Sequence, residues 1–283
     1  MALNYNPDTD IPDLSGKVIL ITGGRHCRPR RRNNPPTSQT LPYHIYFAGR
    51  TSSAADSLIA ELSKTSPKPI TNPTYIPSNQ SSLSSIASAA KTFLDKSQNQ
   101  LDLLICNAGI MIVPLAVSKD GYEIQFAIVL ARALRAAGGG GRIVSLTSMG
   151  FTLAKGVKFE TLRSNQAELG NFVSAPYMLY SQSKLANILY ASELARRYMN
   201  RFGFLMIKIG TRKLLHPETL EGAYNTIWSA TAPLGDGGKN RKLVAGGLYG
   251  PVGQVVPHTE ASKDENLAGE LWEWTEKAIK EFL

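Results

Sequence analysis

An unbroken aliphatic run, Lys17-Val-Ile-Leu-Ile-Thr-Gly-Gly24, stops on glycines. This is the pattern of a short strand buried on both faces, and so of a parallel sheet. Downstream the hydrophobic period keeps switching. Residues 44–50 predict a second strand, 54–63 a helix, 73–77 a weak strand, and 83–95 a helix with apolar positions three and four apart. Residues 101–106 and 142–147 read as further buried strands, the latter following four glycines at 138–141. The strongest helix signal covers 177–198, with Leu185, Ile188, Leu189 and Leu194 apolar and Arg196 and Arg197 near its end, where the dipole favours cations. Residues 126–137 are compatible with a helix, 204–209 with a strand and 221–232 with a helix, while 210–215 offer no clear turn chemistry. A closing amphipathic helix is expected over 262–282, N-capped by Ser262 with Glu265 completing a capping box. Alternating strands and helices predict an α/β fold with a doubly wound parallel sheet, one domain over 1–283 with an N-terminal tail at 1–13.

Composition agrees with a folded chain: 43% of the 283 residues are apolar and 19% charged, which excludes a disordered or collagen-like protein. The 31 Lys and Arg against 22 Asp and Glu give a net charge of +9, which on its face suggests a nucleic-acid or anionic partner. Cys27 and Cys106 cannot build a disulfide framework and show no metal-ligand spacing, so no metal is expected and a reducing, cytoplasmic setting fits. The longest apolar runs fall far short of the roughly 20 residues a membrane span needs. Asp8, Asp10 and Asp13 do not suit a signal peptide.

Tyr180-Ser-Gln-Ser-Lys184 lies in the strong helix, where a spacing of four puts a phenol and an ammonium on one face. A nearby cation favours phenolate and suits the tyrosine to exchange a proton with a substrate oxygen. Alone, such a pair is more often two surface neighbours. Three further motifs precede it in order: Thr22-Gly-Gly24 after the first strand, Asn107-Ala-Gly109 after another, and Arg142-Ile-Val-Ser-Leu-Thr-Ser148.

With these four motifs the chain, from about Leu14 to its end, resembles the short-chain dehydrogenase/reductase family, particularly its retinol-dehydrogenase-like and related fungal members. Glu221-Gly-Ala-Tyr-Asn225 and Leu248-Tyr-Gly-Pro-Val-Gly253 look like the same subgroup. The resemblance implies a Rossmann-type fold and an NADP(H)-dependent oxidoreductase interconverting a small-molecule carbonyl and alcohol. Tyr180 would be the general acid or base, Lys184 would assist it and hold the nicotinamide ribose, and Ser148 would hydrogen-bond the reacting oxygen. Ser148 can also be read as a strand-end turn serine, and Thr147 or Ser145 could be mistaken for it. Thr22, Gly23, Gly24, Asn107, Ala108 and Gly109 would lie along the cofactor. Arg50, ending the second strand, suits a ribose 2′-phosphate and so NADP(H) over NAD(H), although a solvated loop arginine is an equal reading. Asn79 falls where many relatives carry an aspartate near the adenine. Relatives commonly form homo-oligomers through helices like the one bearing Tyr180.

The family pattern breaks after Gly24. Small residues and two more glycines are expected there, because backbone must approach a pyrophosphate. Instead the chain reads Arg25-His-Cys-Arg-Pro-Arg-Arg-Arg32 and then Asn33-Asn-Pro-Pro36, which makes the fold appear locally degraded. Codons for residues 25–31, read one nucleotide later, can spell Gly-Thr-Ala-Gly-Leu-Gly-Ala, which is consistent with an out-of-frame stretch. The helix after Phe126 has no assignable asparagine for a fourth catalytic position, and 210–215 lack a Pro-Gly turn, with Thr211 a candidate remnant. A catalytically impaired relative unable to bind the dinucleotide normally is therefore the competing expectation. Five of the surplus charges, Arg25, Arg28, Arg30, Arg31 and Arg32, belong to the aberrant block. Without aromatic residues for stacking, that block makes a weak case for nucleic acid, and no nucleic-acid partner is expected.

Overall fold

A computed structural model of the chain describes residues 5–23, 42–65, 73–129, 141–171, 173–198, 203–209, 220–234, 243–250 and 252–282. Gly24, the 25–32 block, residues 130–137 of the expected helix and the 210–215 stretch with Thr211 lie outside them.

The aliphatic runs form β1 (Val18–Thr22), β2 (His44–Gly49), β3 (Thr74–Pro77), β4 (Leu103–Cys106), β5 (Arg142–Ser148) and β6 (Gly203–Ile209), joined by β7 (Leu248–Gly250) and β8 (Gln254–Val255). They make one sheet in the order β3-β2-β1-β4-β5-β6-β7-β8. Pairing is parallel throughout until β8 turns back antiparallel on β7. The helices are α1 (Pro7–Asp10), α2 (Ser52–Thr65), α3 (Leu83–Ser97), α4 (Ala175–Tyr198), α5 (Leu220–Thr231), α6 (Glu260–Lys263) and α7 (Glu265–Ile279).

Each central strand reads as a continuous apolar run because its two faces have separate partners. Val18, Tyr46, Ala48 and Ile76 pack with Ala89 and Phe93 of α3. Ile19, Leu103, Ile105, Val144 and Leu146 pack with Ala230 of α5 on the other side. Consecutive residues Val18 and Ile19 thus serve opposite layers, as expected for a sheet covered on both sides.

α3 starts where Ser82 Oγ accepts from Ser85 N and the Asp120 carboxylate accepts from Leu83 N, at 2.8 Å. It ends at Gln98, whose φ of 54° is left-handed and whose N–H returns to the Leu94 carbonyl. α4 is entered through Asn171, whose Oδ1 accepts from Val173 N and Ser174 N. Within α4 every residue from 181 to 191 is buried. The sheet and a 3₁₀ turn (Met149–Leu153) cover one side of it, and α7 covers another. Trp272 of α7 stacks on Tyr190 at a 12° interplanar angle, and the Arg197 guanidinium lies 4.9 Å from the Trp272 ring centroid. Arg196 and Arg197 both grip Glu193, whose carboxyl is held below its usual range chiefly by the Arg196 hydrogen bond.

The C-terminal helix departs from expectation. Ser262 does not cap it: Thr259 caps the short α6, with Ser262 as the reciprocal partner in that capping box. Asp264 then caps α7 by accepting from Leu267 N at 3.0 Å. Asp264 is the better cap because a carboxylate also favours the positive end of the helix dipole. Ahead of β1, α1 follows Tyr5, whose ring meets Tyr224 of α5 edge-on.

Candidate functional site

The strand order reverses between β1 and β4, and in such sheets the crevice beyond the strand ends at this point is where ligands bind. Here the two ends are locked together. Asn107 Nδ2 donates to the carbonyls of Thr22 (3.2 Å) and Gly23 (3.1 Å), and Ala108 N donates to Thr22 Oγ1 at 3.1 Å. Gly23 has φ of +73°, and a β-carbon on it would fall 2.5 Å from Ala108 Cα. Only glycine fits that position.

Beyond this lock opens a cleft of about 440 Å³ that brings together Gly23, Arg50, Asn79, Asn107, Ala108 and Gly109. Thr22 lies behind it, holding Ala108 in place. Arg50 follows the end of β2 and is exposed at the cleft. Asn79 Oδ1 accepts from Ser81 N and Ser81 Oγ, so its carbonyl end shapes the turn leading into α3 while the residue lines the cleft.

The predicted catalytic residues gather beside this cleft. Ser148 is the last residue of β5, and its Oγ accepts from Gly150 N at 3.2 Å, so the turn-serine role is present. A hydroxyl that accepts retains its hydrogen to donate. A β-carbon on Gly150 would lie 2.9 Å from Tyr180 Cε1 and 3.8 Å from Ser148 Oγ, so the serine hydroxyl and the tyrosine ring flank the same glycine. Buried Lys184 places Nζ 5.1 Å from the Tyr180 ring centroid and 3.5 Å from where a Gly109 β-carbon would sit. The lysine therefore stands between the tyrosine and the floor of the cleft. Thr147 instead donates to the Lys184 carbonyl at 2.8 Å, and Ser145 is buried within the strand.

Three contributors escape sequence reasoning. Gly150 is needed for the approach of the Tyr180 ring; a glycine two residues past a strand-end serine was the available signal. Gln125 ties the loop after β4 to the start of α4, accepting from Ile112 N at 3.0 Å and donating to the Pro176 carbonyl at 3.1 Å. Glu123 is fully buried and accepts from Gln125 N and Phe126 N. Burial pushes its carboxyl up to about 7 despite those two bonds. No pattern in the sequence marks either residue. Among the described residues no cluster of His, Cys, Asp or Glu could hold a metal ion, and no helix is long and apolar enough to cross a membrane.

A parallel sheet with its crevice at the β1/β4 reversal, closed by Thr22, Gly23 and Asn107, defines a doubly wound α/β protein of Rossmann-type fold. No protein-family model matches the chain. The short-chain dehydrogenase/reductase drtF of Aspergillus calidoustus is 28% identical, the match covering 95% of this chain and 96% of the relative. Its aligned length of 320 exceeds the 283 residues here, so the relative carries stretches with no counterpart in this chain. A Mycobacterium paratuberculosis crystal structure shares the fold at a TM-score of 0.72 and 24% identity, over 96% of this chain and 97% of that one. A blue fluorescent protein from a metagenomic library, solved with NADPH, does so at 0.56 and 21%, over 87% and 100%. Over nearly its whole length the chain is thus similar to curated short-chain dehydrogenase/reductases, and it shares the fold of these solved structures.

Proposed function

We propose that the protein is an NADP(H)-dependent oxidoreductase interconverting a carbonyl and an alcohol at Ser148, Tyr180 and Lys184. The observation that carries this reading is the meeting of all three side chains beside the cleft at the strand reversal. Gly23, Asn107, Ala108 and Gly109 would form the cofactor floor, with Thr22 supporting it from behind. Arg50 would pair with the 2′-phosphate, which favours NADP(H) while leaving NAD(H) usable. The NADPH complex of the metagenomic fold neighbour supports a nicotinamide dinucleotide. The cleft suits the adenosine half: backbone forms its floor, and one arginine stands at its edge.

When bound, the nicotinamide supplies or accepts the hydride. Ser148 Oγ donates to the reacting oxygen and stabilises the charge that gathers there. Tyr180 delivers the proton to that oxygen in reduction and removes it in oxidation, and the Lys184 ammonium favours the phenolate that results. A cytoplasmic location is the setting that two cysteines without metal or disulfide spacing favour. Pairing of subunits through α4 would have to displace α7, which covers it.

Titration with NADPH, followed by quenching of the three tryptophans, tests the reading. Saturable quenching at micromolar NADPH, together with NADPH-dependent reduction of a ketone, is the expected result. Absence of both in the protein of this sequence would leave the impaired-relative reading in its place.

A further inference from the structure

Of the ten large apolar side chains exposed among the described residues, five lie on segments that lead to the candidate catalytic residues. Met111, Leu153, Val173, Tyr177 and Met178 are all solvent-exposed. They come from three segments that converge on Ser148 and Tyr180. Leu153 ends the 3₁₀ turn that Ser148 opens. Val173, Tyr177 and Met178 lead along the start of α4 into Tyr180. Met111 rides the loop that Gln125 fastens to Pro176 at that helix start.

The same segments lack charge. No Asp, Glu, Lys, Arg or His occurs at 107–118, 143–154 or 169–183. Of the charged residues bordering them, Lys184 is buried against Tyr180 and Gly109, Arg142 donates to the Ser229 and Ala232 carbonyls, and Lys119, Lys155 and Glu168 are exposed. Asn171, a polar group in the third stretch, is spent on entering α4. Exposed apolar groups beside a pocket stay costly until something covers them, and an ionised substrate group would lose water there without gaining a counter-charge.

From this juxtaposition of Ser148 and Tyr180 with an apolar rim that carries no charge in its three described segments, we infer that the substrate is a neutral carbonyl or alcohol compound with a bulky apolar, preferably aromatic, body. Compounds bearing a carboxylate or phosphate on that apolar body are disfavoured. Tyr177, one helical turn before Tyr180, supplies an aromatic face for that body. The inference rests on the catalytic reading above, and the test separates the two.

The probes are 2-acetylnaphthalene and its 6-carboxylate. With NADPH the neutral ketone is expected to have a kcat/KM at least about tenfold higher. Val173→Asp and Leu153→Glu, both at exposed positions, should each erode that preference about tenfold while leaving NADPH quenching unchanged. Binding is read independently in Tyr180→Phe by ligand-observed NMR, where only the neutral ketone should show contact. Equal turnover of both ketones overturns the substrate class and leaves the oxidoreductase reading standing. Contact with the neutral ketone that is sensitive to Val173→Asp, without turnover by the parent protein, overturns the catalytic reading and keeps the apolar site. Contact with neither ketone, or contact indifferent to both rim variants, overturns the inference.

Discussion

Lys184 Nζ and the Tyr180 ring lie 5.1 Å apart, centroid to nitrogen, with the lysine buried and the tyrosine half-open. Replacing each should therefore give a different kinetic signature. Tyr180→Phe removes the proposed proton donor and should lower kcat by about 10²–10⁴ with NADPH affinity nearly unchanged. Lys184→Met should lower kcat and weaken NADPH together, because its amine also borders the proposed cofactor floor at Gly109. Steady-state kinetics combined with fluorescence titration distinguishes the two, and unchanged turnover in Tyr180→Phe would remove it from the chemistry.

Gly23→Ala puts a methyl group into the Ala108 backbone at a left-handed position. Overpacking costs about 1–3 kcal/mol and the backbone conformation about 1–2 more. A lower urea midpoint and loss of NADPH quenching are expected. Asn107→Ala, which unties the Thr22 and Gly23 carbonyls, should cost about 1–3 kcal/mol by the same denaturation measurement.

Glu123 gives a pH signature to folding. Its carboxyl is pushed by burial from 4.5 to about 7, so between those values the folded chain holds a proton that the unfolded chain has released. Its contribution to stability is therefore most favourable below pH 4.5, declines as pH rises toward 7 and levels off above, a loss of up to about 3 kcal/mol. Urea unfolding from pH 5 to 8 should show the decline, and Glu123→Gln should flatten it. An equal slope in the variant would assign the decline to other groups.

Arg50 stands at the cleft with its side chain open to solvent. Arg50→Asp should lower the ratio of NADPH to NADH kcat/KM at least about tenfold, since a carboxylate repels the 2′-phosphate and accepts from a free ribose hydroxyl. The parent preference should weaken with added salt. A ratio unmoved by the substitution would make this a solvated loop arginine.

Residues 25–31 stand where the resemblance implies a glycine-rich loop. Exchanging them for Gly-Thr-Ala-Gly-Leu-Gly-Ala should tighten NADPH binding at least about tenfold, because backbone N–H groups then face the pyrophosphate. Sequencing the transcript across codons 22–44 tests the origin of the stretch: an in-frame message for Arg25 to Arg32 as written would rule out a sequencing or gene-model error and leave a real insertion or deletion.

What could be read in advance follows from how local each signal is. β1, β4 and β5 announce themselves because both of their faces are buried, and α4 because its apolar positions recur over many turns. The Tyr180–Lys184 pair is a spacing within one helix, so sequence suffices for it. The Gly150 contact with Tyr180 and the Gln125 bridge join segments far apart in the chain, and no local period encodes them. β7 and β8 are only three and two residues long, below what alternation can mark. At the C-terminus Thr259, Ser262 and Asp264 are all competent caps, and the break between α6 and α7 decides which of them serve.

Along α4 the environment changes abruptly at Tyr180: Tyr177 and Met178 are open to solvent, and everything from 181 to 191 is enclosed. Natural variation can therefore act on this helix in two separate ways. Changes at Tyr177 and Met178 alter the exposed rim with little penalty in folding, whereas changes beyond the tyrosine disturb the packing of sheet and α7 together. A lineage carrying this architecture can vary that rim repeatedly while the frame around Tyr180 stays constant.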